Sequence, residues 1–252
     1  MARQRPSTAD YEHKRDFRRT PEPSGGPAGA GGNAGPSRAG ERSRRGGGRP
    51  RFVIQQHDAT SMHYDFRLEA GGVLKSWAVP KGPSTNPADK VLAMPTEDHP
   101  LDYAGFEGVI PEGNYGAGPV IIWDAGTYRN LGDVPVEEAI ERGHLSVWLE
   151  GQKLTGGYAL TRIREGRSEA WLLVKMKDEG ADSRRHPTST QPESVRSGRT
   201  VEEVAAEEGR GRRAQGTGGG EGEGAGGRRG PKGTKSARGR PRGSAGPGPQ
   251  GS

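Results

Sequence analysis

The run Gln55-Gln56-His57-Asp58-Ala59-Thr60-Ser61-Met62-His63-Tyr64-Asp65-Phe66-Arg67-Leu68-Glu69 gathers two imidazoles, three carboxylates and a guanidinium within fifteen residues. As a strand its second half divides at period two: His63, Asp65, Arg67 and Glu69 point one way and Tyr64, Phe66 and Leu68 the other. One face is then core and the other chemistry. His57, His63 and Asp65 make a nitrogen and oxygen donor set suited to Mn²⁺, Zn²⁺ or Fe²⁺, and a strand sets His63 and Asp65 side by side. Arg67 on the same face supplies fixed donors for an anion.

A third histidine, His99, stands in Glu97-Asp98-His99-Pro100, where the following proline holds it to extended backbone. Lys81, in Val79-Pro80-Lys81-Gly82-Pro83, is a cation on a stiff turn that is either solvated or aimed at an anion. The glycine-rich run 108–118 has no helical pattern after it, so it reads as turns and not as a phosphate loop. His13, His144 and His186 have no matching neighbours and receive no role. Phosphoester cleavage suits the set: a divalent ion polarises a phosphoryl oxygen, Arg67 and Lys81 neutralise developing charge, and His99 stabilises the transition state or protonates the leaving oxygen. Two other readings stay open to the residues alone. One is a cupin-type Fe²⁺ oxygenase, since His63-x-Asp65 with a later histidine resembles a facial triad. The other is a catalytically weak or inactive DNA-end-binding module.

Eight short β-type runs must position these groups: FVIQQH, MHYDFRLE, VLKSWAV, VLAMP, PVIIWD, HLSVWLEG, GYALTRI and AWLLVKM, each bounded by turn signals. They predict an all-β antiparallel barrel or sandwich with one short helix, Val136 to Arg142, between Pro135 and Gly143. Twelve of the fourteen aromatics lie between Phe52 and Trp171, which confines the folded domain to 51–179. Segments 23–50 and 180–252, rich in Gly, Ser, Pro and Arg, read as a disordered linker and a disordered basic tail. Tyr11 and Phe17, in a separate N-terminal segment 1–22, are apolar enough to dock on the domain. Charge follows the same division: 12 basic against 5 acidic residues in 1–51, 12 against 19 in 52–179, and 14 against 8 in 180–252. Basic arms around an acidic body attract a polyanion, while the body keeps carboxylates for a cation. With no cysteine there is neither a disulfide nor a thiolate metal site, and a reducing compartment is expected. No apolar run is long enough for a membrane helix, and the N-terminus lacks a signal-peptide pattern. A cytoplasmic, nucleoid-associated location follows as the expectation.

HDATSMHYDFRLE, LKSWAVPKGPS, EDHPLDYAGFEGVIPEGNYGAG and WLLVKMKDE, in this order, resemble the 3′-phosphoesterase module of bacterial DNA ligase D of non-homologous end joining. YEHKRDFRRTPEP is similar to the N-terminal motif of that module. The resemblance implies a compact β-barrel holding one Mn²⁺ on His57, His63 and Asp65. It further implies an anion grip and catalytic shell at Arg67, Lys81, His99 and Tyr103, supported by Gln55, Arg15, Asp16 and Glu22. The implied activity trims DNA 3′ ends, removing a terminal ribonucleoside and then the 3′-phosphate, with a separate ligase and end-binding repair proteins as partners. Val91 departs from the family, which often has a basic residue there, so that the anion grip is weaker unless Lys90 substitutes. The linker is longer than usual, which leaves the docking of Arg15, Asp16 and Glu22 open. A ligase's Lys-x-Asp-Gly signature is absent, so the chain resembles a freestanding module that does not itself join DNA.

Overall fold

The computed structural model describes residues 7–25 and 48–207. Nine strands form one antiparallel sheet: β1 (Arg51–Asp58), β2 (Met62–Ala70), β3 (Val73–Val79), β4 (Val91–Pro95), β5 (Gly108–Ile110), β6 (Gly118–Asn130), β7 (His144–Gly151), β8 (Thr155–Arg164) and β9 (Ala170–Lys175). The order β1-β2-β3-β4-β9-β8-β7-β6 closes on itself through β1–β6 pairing, so eight strands make the barrel, while β5 extends the edge of β6. Every β-type run of the sequence is a strand, and β5 is the one addition, too short for an alternating pattern to show.

Tight turns set the register. Gly71 and Gly72 join β2 to β3 with φ of 60° and 78°, the left-handed pair that a two-residue hairpin of matching twist requires. A three-residue turn, 59–61, joins β1 to β2 and places His57 opposite His63, Gln55 opposite Asp65 and Val53 opposite Arg67. The barrel interior is apolar: Phe52 and Ile54 of β1, Tyr64, Phe66 and Leu68 of β2, and Trp77, Trp123 and Trp171 pack into one core. The polar residues of the hairpin therefore project from the outer surface of the barrel. A second, smaller core covers them there, built from Tyr11, Leu74, Tyr103, Phe106, Ile110 and Val120, with Phe17 beside it.

Two departures from the expectations concern the helices and the tail. The helix α2 (Val136–Arg142) has the expected bounds, but α1 (Thr8–His13) and α3 (Pro187–Thr190) are additional, and 201–207 is helical as well. α1 and α3 are too short for periodicity to reveal; α1 depends on a capping box, in which the Asp10 carboxylate accepts from the Ser7 backbone N–H at 2.6 Å. The reading of disorder from 180 onward is corrected for 180–207, which crosses the barrel as an ordered strap. Its sequence is polar because main-chain carbonyls hold it. The Tyr64 hydroxyl donates to Thr188 O (3.2 Å), the Trp123 indole to Gln191 O (2.8 Å) and the Lys153 ammonium to Gln191 O (2.7 Å). Val201 and Val204 complete the contact by packing on Ile121. The remaining parts of the linker and tail readings, 26–47 and 208–252, lie outside the described residues.

Candidate active site and metal centre

One ligand atom from each of His57, His63 and Asp65 lies within 4.8 Å of the others. Asp65 Oδ2 is 3.8 Å from His57 Nδ1 and 3.8 Å from His63 Nε2. Both imidazoles are aimed by the backbone. His57 Nε2–H donates to Gly116 O at 2.8 Å and His63 Nδ1–H to Ser61 O at 2.9 Å. Since a carbonyl only accepts, these bonds fix the tautomers and leave His57 Nδ1 and His63 Nε2 as lone pairs facing the carboxylate. Gly116 can present its carbonyl here because it adopts φ 73°, and a Cβ at that position would stand 3.4 Å from the His57 ring. The donor set, its prefixed tautomers and the shared focus on Asp65 Oδ2 fit a divalent cation. Burial would raise the Asp65 carboxyl, but Arg67 and the two imidazoles outweigh it and hold the group well below the usual carboxylate range.

Arg67 is 2% exposed and its fork is occupied: Nε donates to Gln55 Oε1 (2.8 Å), Nη1 to Ser76 Oγ (2.9 Å) and Nη2 to Asp65 Oδ2 (3.0 Å). Gln55 in turn donates to the carbonyls of Tyr103 (3.2 Å) and Phe106 (2.9 Å). The guanidinium expected to grip an anion thus orients the carboxylate of the candidate metal cluster.

His99 is buried, held by two backbone bonds to Leu74 on the edge of β3. His99 Nδ1 lies between an acceptor, the Glu97 carbonyl at 2.7 Å, and a donor, Arg67 Nη1 at 2.9 Å. Burial, then the charges of Arg67 and Arg15, push the imidazole well below its ordinary pKa, so the ring is neutral. Tyr103, in a 3-10 turn over Leu101–Gly105, packs on His99 with centroids 4.7 Å apart and donates its hydroxyl to Glu22 Oε1 at 3.1 Å. Burial and the Glu22 charge push that phenol up.

The N-terminal segment reaches the same place. Arg15 donates to Glu22 (2.8 Å) and Glu97 (3.1 Å), and both carboxylates are buried. Asp16, by contrast, is turned away, bonded to Arg18 at 3.0 Å on the surface. His57, His63, Asp65, Arg67, His99, Tyr103 and Arg15 line one cleft of about 290 Å³. Lys81 and Lys90 do not; they line a separate cleft of about 750 Å³ together with Arg185 and His186 of the strap. Although larger, that cleft has no group of three His and carboxylate ligands among the described residues, so the smaller one is the candidate site. The Val91 side chain packs into the barrel core, which explains an apolar residue beside the exposed Lys90. Sequence reasoning missed Glu97, Ser76, Tyr115 and the carbonyls of Ser61 and Gly116. Of these only Glu97 gave a signal, as an acidic residue two before His99.

The model of the family described as "DNA Ligase D 3'-phosphoesterase domain" matches residues 55–162. The chain is 49% identical over 197 residues to the multifunctional non-homologous end joining protein LigD of Pseudomonas aeruginosa, covering 77% of this chain and 21% of that protein. It is 44% identical over 173 residues to the multifunctional non-homologous end joining DNA repair protein LigD of Mycobacterium tuberculosis, covering 67% and 20%, and 38% identical over 174 residues to that of Mycolicibacterium smegmatis. The chain spans about a fifth of the length of these relatives. Barrel, ligand cluster and matched residues agree, and over 55–162 the chain belongs to the DNA ligase D 3′-phosphoesterase family.

Proposed function

We infer that the protein is a metal-dependent phosphoesterase of DNA 3′ ends, removing a terminal ribonucleoside and then the 3′-phosphate to leave a 3′-hydroxyl. The observation that carries this reading is the convergence of His57 Nδ1, His63 Nε2 and an Asp65 oxygen at the wall of an open cleft. Those three residues would hold the cation, with Mn²⁺ proposed for the mixed nitrogen and oxygen set. When bound, it supplies Lewis-acid polarisation of a phosphoryl oxygen and a water of lowered pKa.

The protein's own groups do the rest. In hydrolysis the oxygen of water bonds to phosphorus, the ester P–O bond breaks, and the departing oxygen receives a proton. His99, kept neutral by burial and by the charges of Arg67 and Arg15, suits removal of a proton from the attacking water, and the proton it gains can then pass to the departing oxygen. Arg67 keeps Asp65 aimed, Gln55 keeps Arg67 aimed, and Arg15 brings positive charge to the cleft. Lys81 and Lys90 are assigned to backbone phosphates of the bound strand, outside the reacting centre. A 3′-hydroxyl end is what a DNA ligase consumes, which supports a ligase and end-binding repair proteins as partners, and with them a cytoplasmic place on the nucleoid. The same donor set would serve Fe²⁺ in an oxygenase; membership of a phosphoesterase family favours hydrolysis. The intact ligand set counts against an inactive end-binding module.

A 5′-labelled primer–template ending in one ribonucleotide tests the reading. With Mn²⁺ the primer should lose first the nucleoside and then the phosphate, as separate bands. His63→Ala and Asp65→Ala should each abolish both steps, because a three-ligand site losing one member binds its ion far more weakly. Near wild-type turnover in both variants, or cleavage that survives complete chelation, would overturn it.

A further inference from the structure

Tyr115 is the one aromatic side chain among the described residues that is exposed, 55% by area, and it stands on the rim of the metal cleft. Its place is rigid. The turn beneath it is closed by Asn114 N–H to Pro111 O (3.3 Å) and Ala117 N–H to Asn114 O (3.2 Å). Lys14 Nζ lies 4.5 Å from the ring centroid and the Arg15 guanidinium 5.9 Å, and both cations are anchored by Glu97. Next in sequence is Gly116, whose carbonyl holds His57, so the ring stands one residue from the metal-ligand shell.

A flat ring fixed by cations, with more than half its surface open, is costly to leave in water and is the usual platform for an unpaired nucleobase. We propose that Tyr115 stacks on the base of the 3′-terminal nucleotide and so selects ends that carry a nucleoside beside the scissile phosphate. This rests on the phosphoesterase reading, since it is the metal centre that places that phosphate next to Tyr115. Ordering the ring in advance spares the entropy of fixing it when the strand binds.

Two 5′-labelled primer–templates decide it, alike except that the 3′ residue is adenosine in one and base-free 1,4-anhydroribitol in the other. Wild type with Mn²⁺ should prefer the adenosine end by about 5- to 150-fold in kcat/KM, the range that one base–aromatic stack represents. Tyr115→Phe should keep the preference. Tyr115→Leu, which retains bulk without a π-face, should lose it and treat both ends as wild type treats the base-free one. The same discrimination in Tyr115→Leu as in wild type would overturn the proposal. So would an equal loss on both ends, which would make Tyr115 a support for Gly116 alone. Fluorescence anisotropy with the same two DNAs reads the binding ratio whether or not a bond is cleaved. Absence of cleavage by wild type would therefore count against the phosphoesterase reading, while the affinity ratio still decides the stack.

Discussion

Arg67→Lys separates two roles that a buried cation beside a metal site can have. The guanidinium spends three directions of its planar fork on Gln55 Oε1, Ser76 Oγ and Asp65 Oδ2. An ammonium keeps the charge but concentrates its donors on one atom at the end of a differently shaped stem. It can stay with Asp65 and must give up the other two. Each buried acceptor left without a donor costs about 1–3 kcal/mol, so the variant should be destabilised by about 2–6 kcal/mol. For a body of this size that is a fall in melting temperature of roughly 4–24 °C. With Asp65 no longer held in its rotamer, metal affinity should weaken about 10- to 100-fold, the usual cost of removing an outer partner of a ligand. Thermal melts without metal and an Mn²⁺ titration of activity at saturating DNA measure the two effects. KM for a 3′-phosphate end, taken at saturating Mn²⁺, should move little. A variant with wild-type melting and wild-type Mn²⁺ dependence but a raised KM would refute this reasoning and return Arg67 to the substrate phosphate.

Truncation after Gly180 should prevent folding, whereas truncation after Glu207 should melt like the full chain. The first removes Val201 and Val204, worth about 1.5–3 kcal/mol each, and orphans Trp123 Nε1 and the Lys153 ammonium at about 1–3 kcal/mol or more apiece, a loss comparable with a typical domain's stability. Circular dichroism of the two fragments checks it, and a folded 1–180 would show the strap to be dispensable. Acid should destabilise the protein through His99: its folded pKa is depressed, so below about 6.5 the unfolded chain binds a proton that the folded one refuses. Stability is then lost as pH falls from about 6.5 toward the folded value. Urea melts at pH 7.5 and 5.5 should show a smaller acid loss in His99→Gln than in wild type, and equal losses would remove His99 as the cause.

The barrel was legible because its strands announce themselves twice, by alternation and by the turns between them. Period two in 62–69 already separated the Tyr64, Phe66 and Leu68 face from the His63, Asp65 and Arg67 face, and the same alternation puts the first face inside the barrel. The ligand cluster followed from that geometry together with His57 across the hairpin. What did not show was anything held by main chain. The strap 180–207 has little apolar content beyond Val201 and Val204, because carbonyls of Thr188 and Gln191 do much of the work that side chains usually do. The Glu97 carbonyl against His99 Nδ1 is a main-chain contact of the same kind, which no residue type encodes. Lys81 and Lys90 looked like neighbours of the metal because residue type carries no information about which cleft a turn faces.

A site on the outside of a barrel raises the question of how charges can be buried there. The interior of this barrel is packed with aromatic and aliphatic side chains. Outside, Arg67, Asp65, Arg15, Glu22, Glu97 and His99 are buried by the layer that includes Tyr11, Tyr103 and Phe106, and each charge has an opposite partner or a hydrogen bond. Buried charges without such partners would cost several kcal/mol each, so the layer and the network stand or fall together. Residues 7–25 contribute Tyr11 and Phe17 to that layer. Arg15 holds Glu97 by its carboxylate, and the carbonyl of the same residue lies 2.7 Å from His99 Nδ1. The N-terminal segment thereby reaches the imidazole proposed for catalysis through one intermediary, which gives a physical reason why a short motif far upstream in sequence belongs to the candidate site.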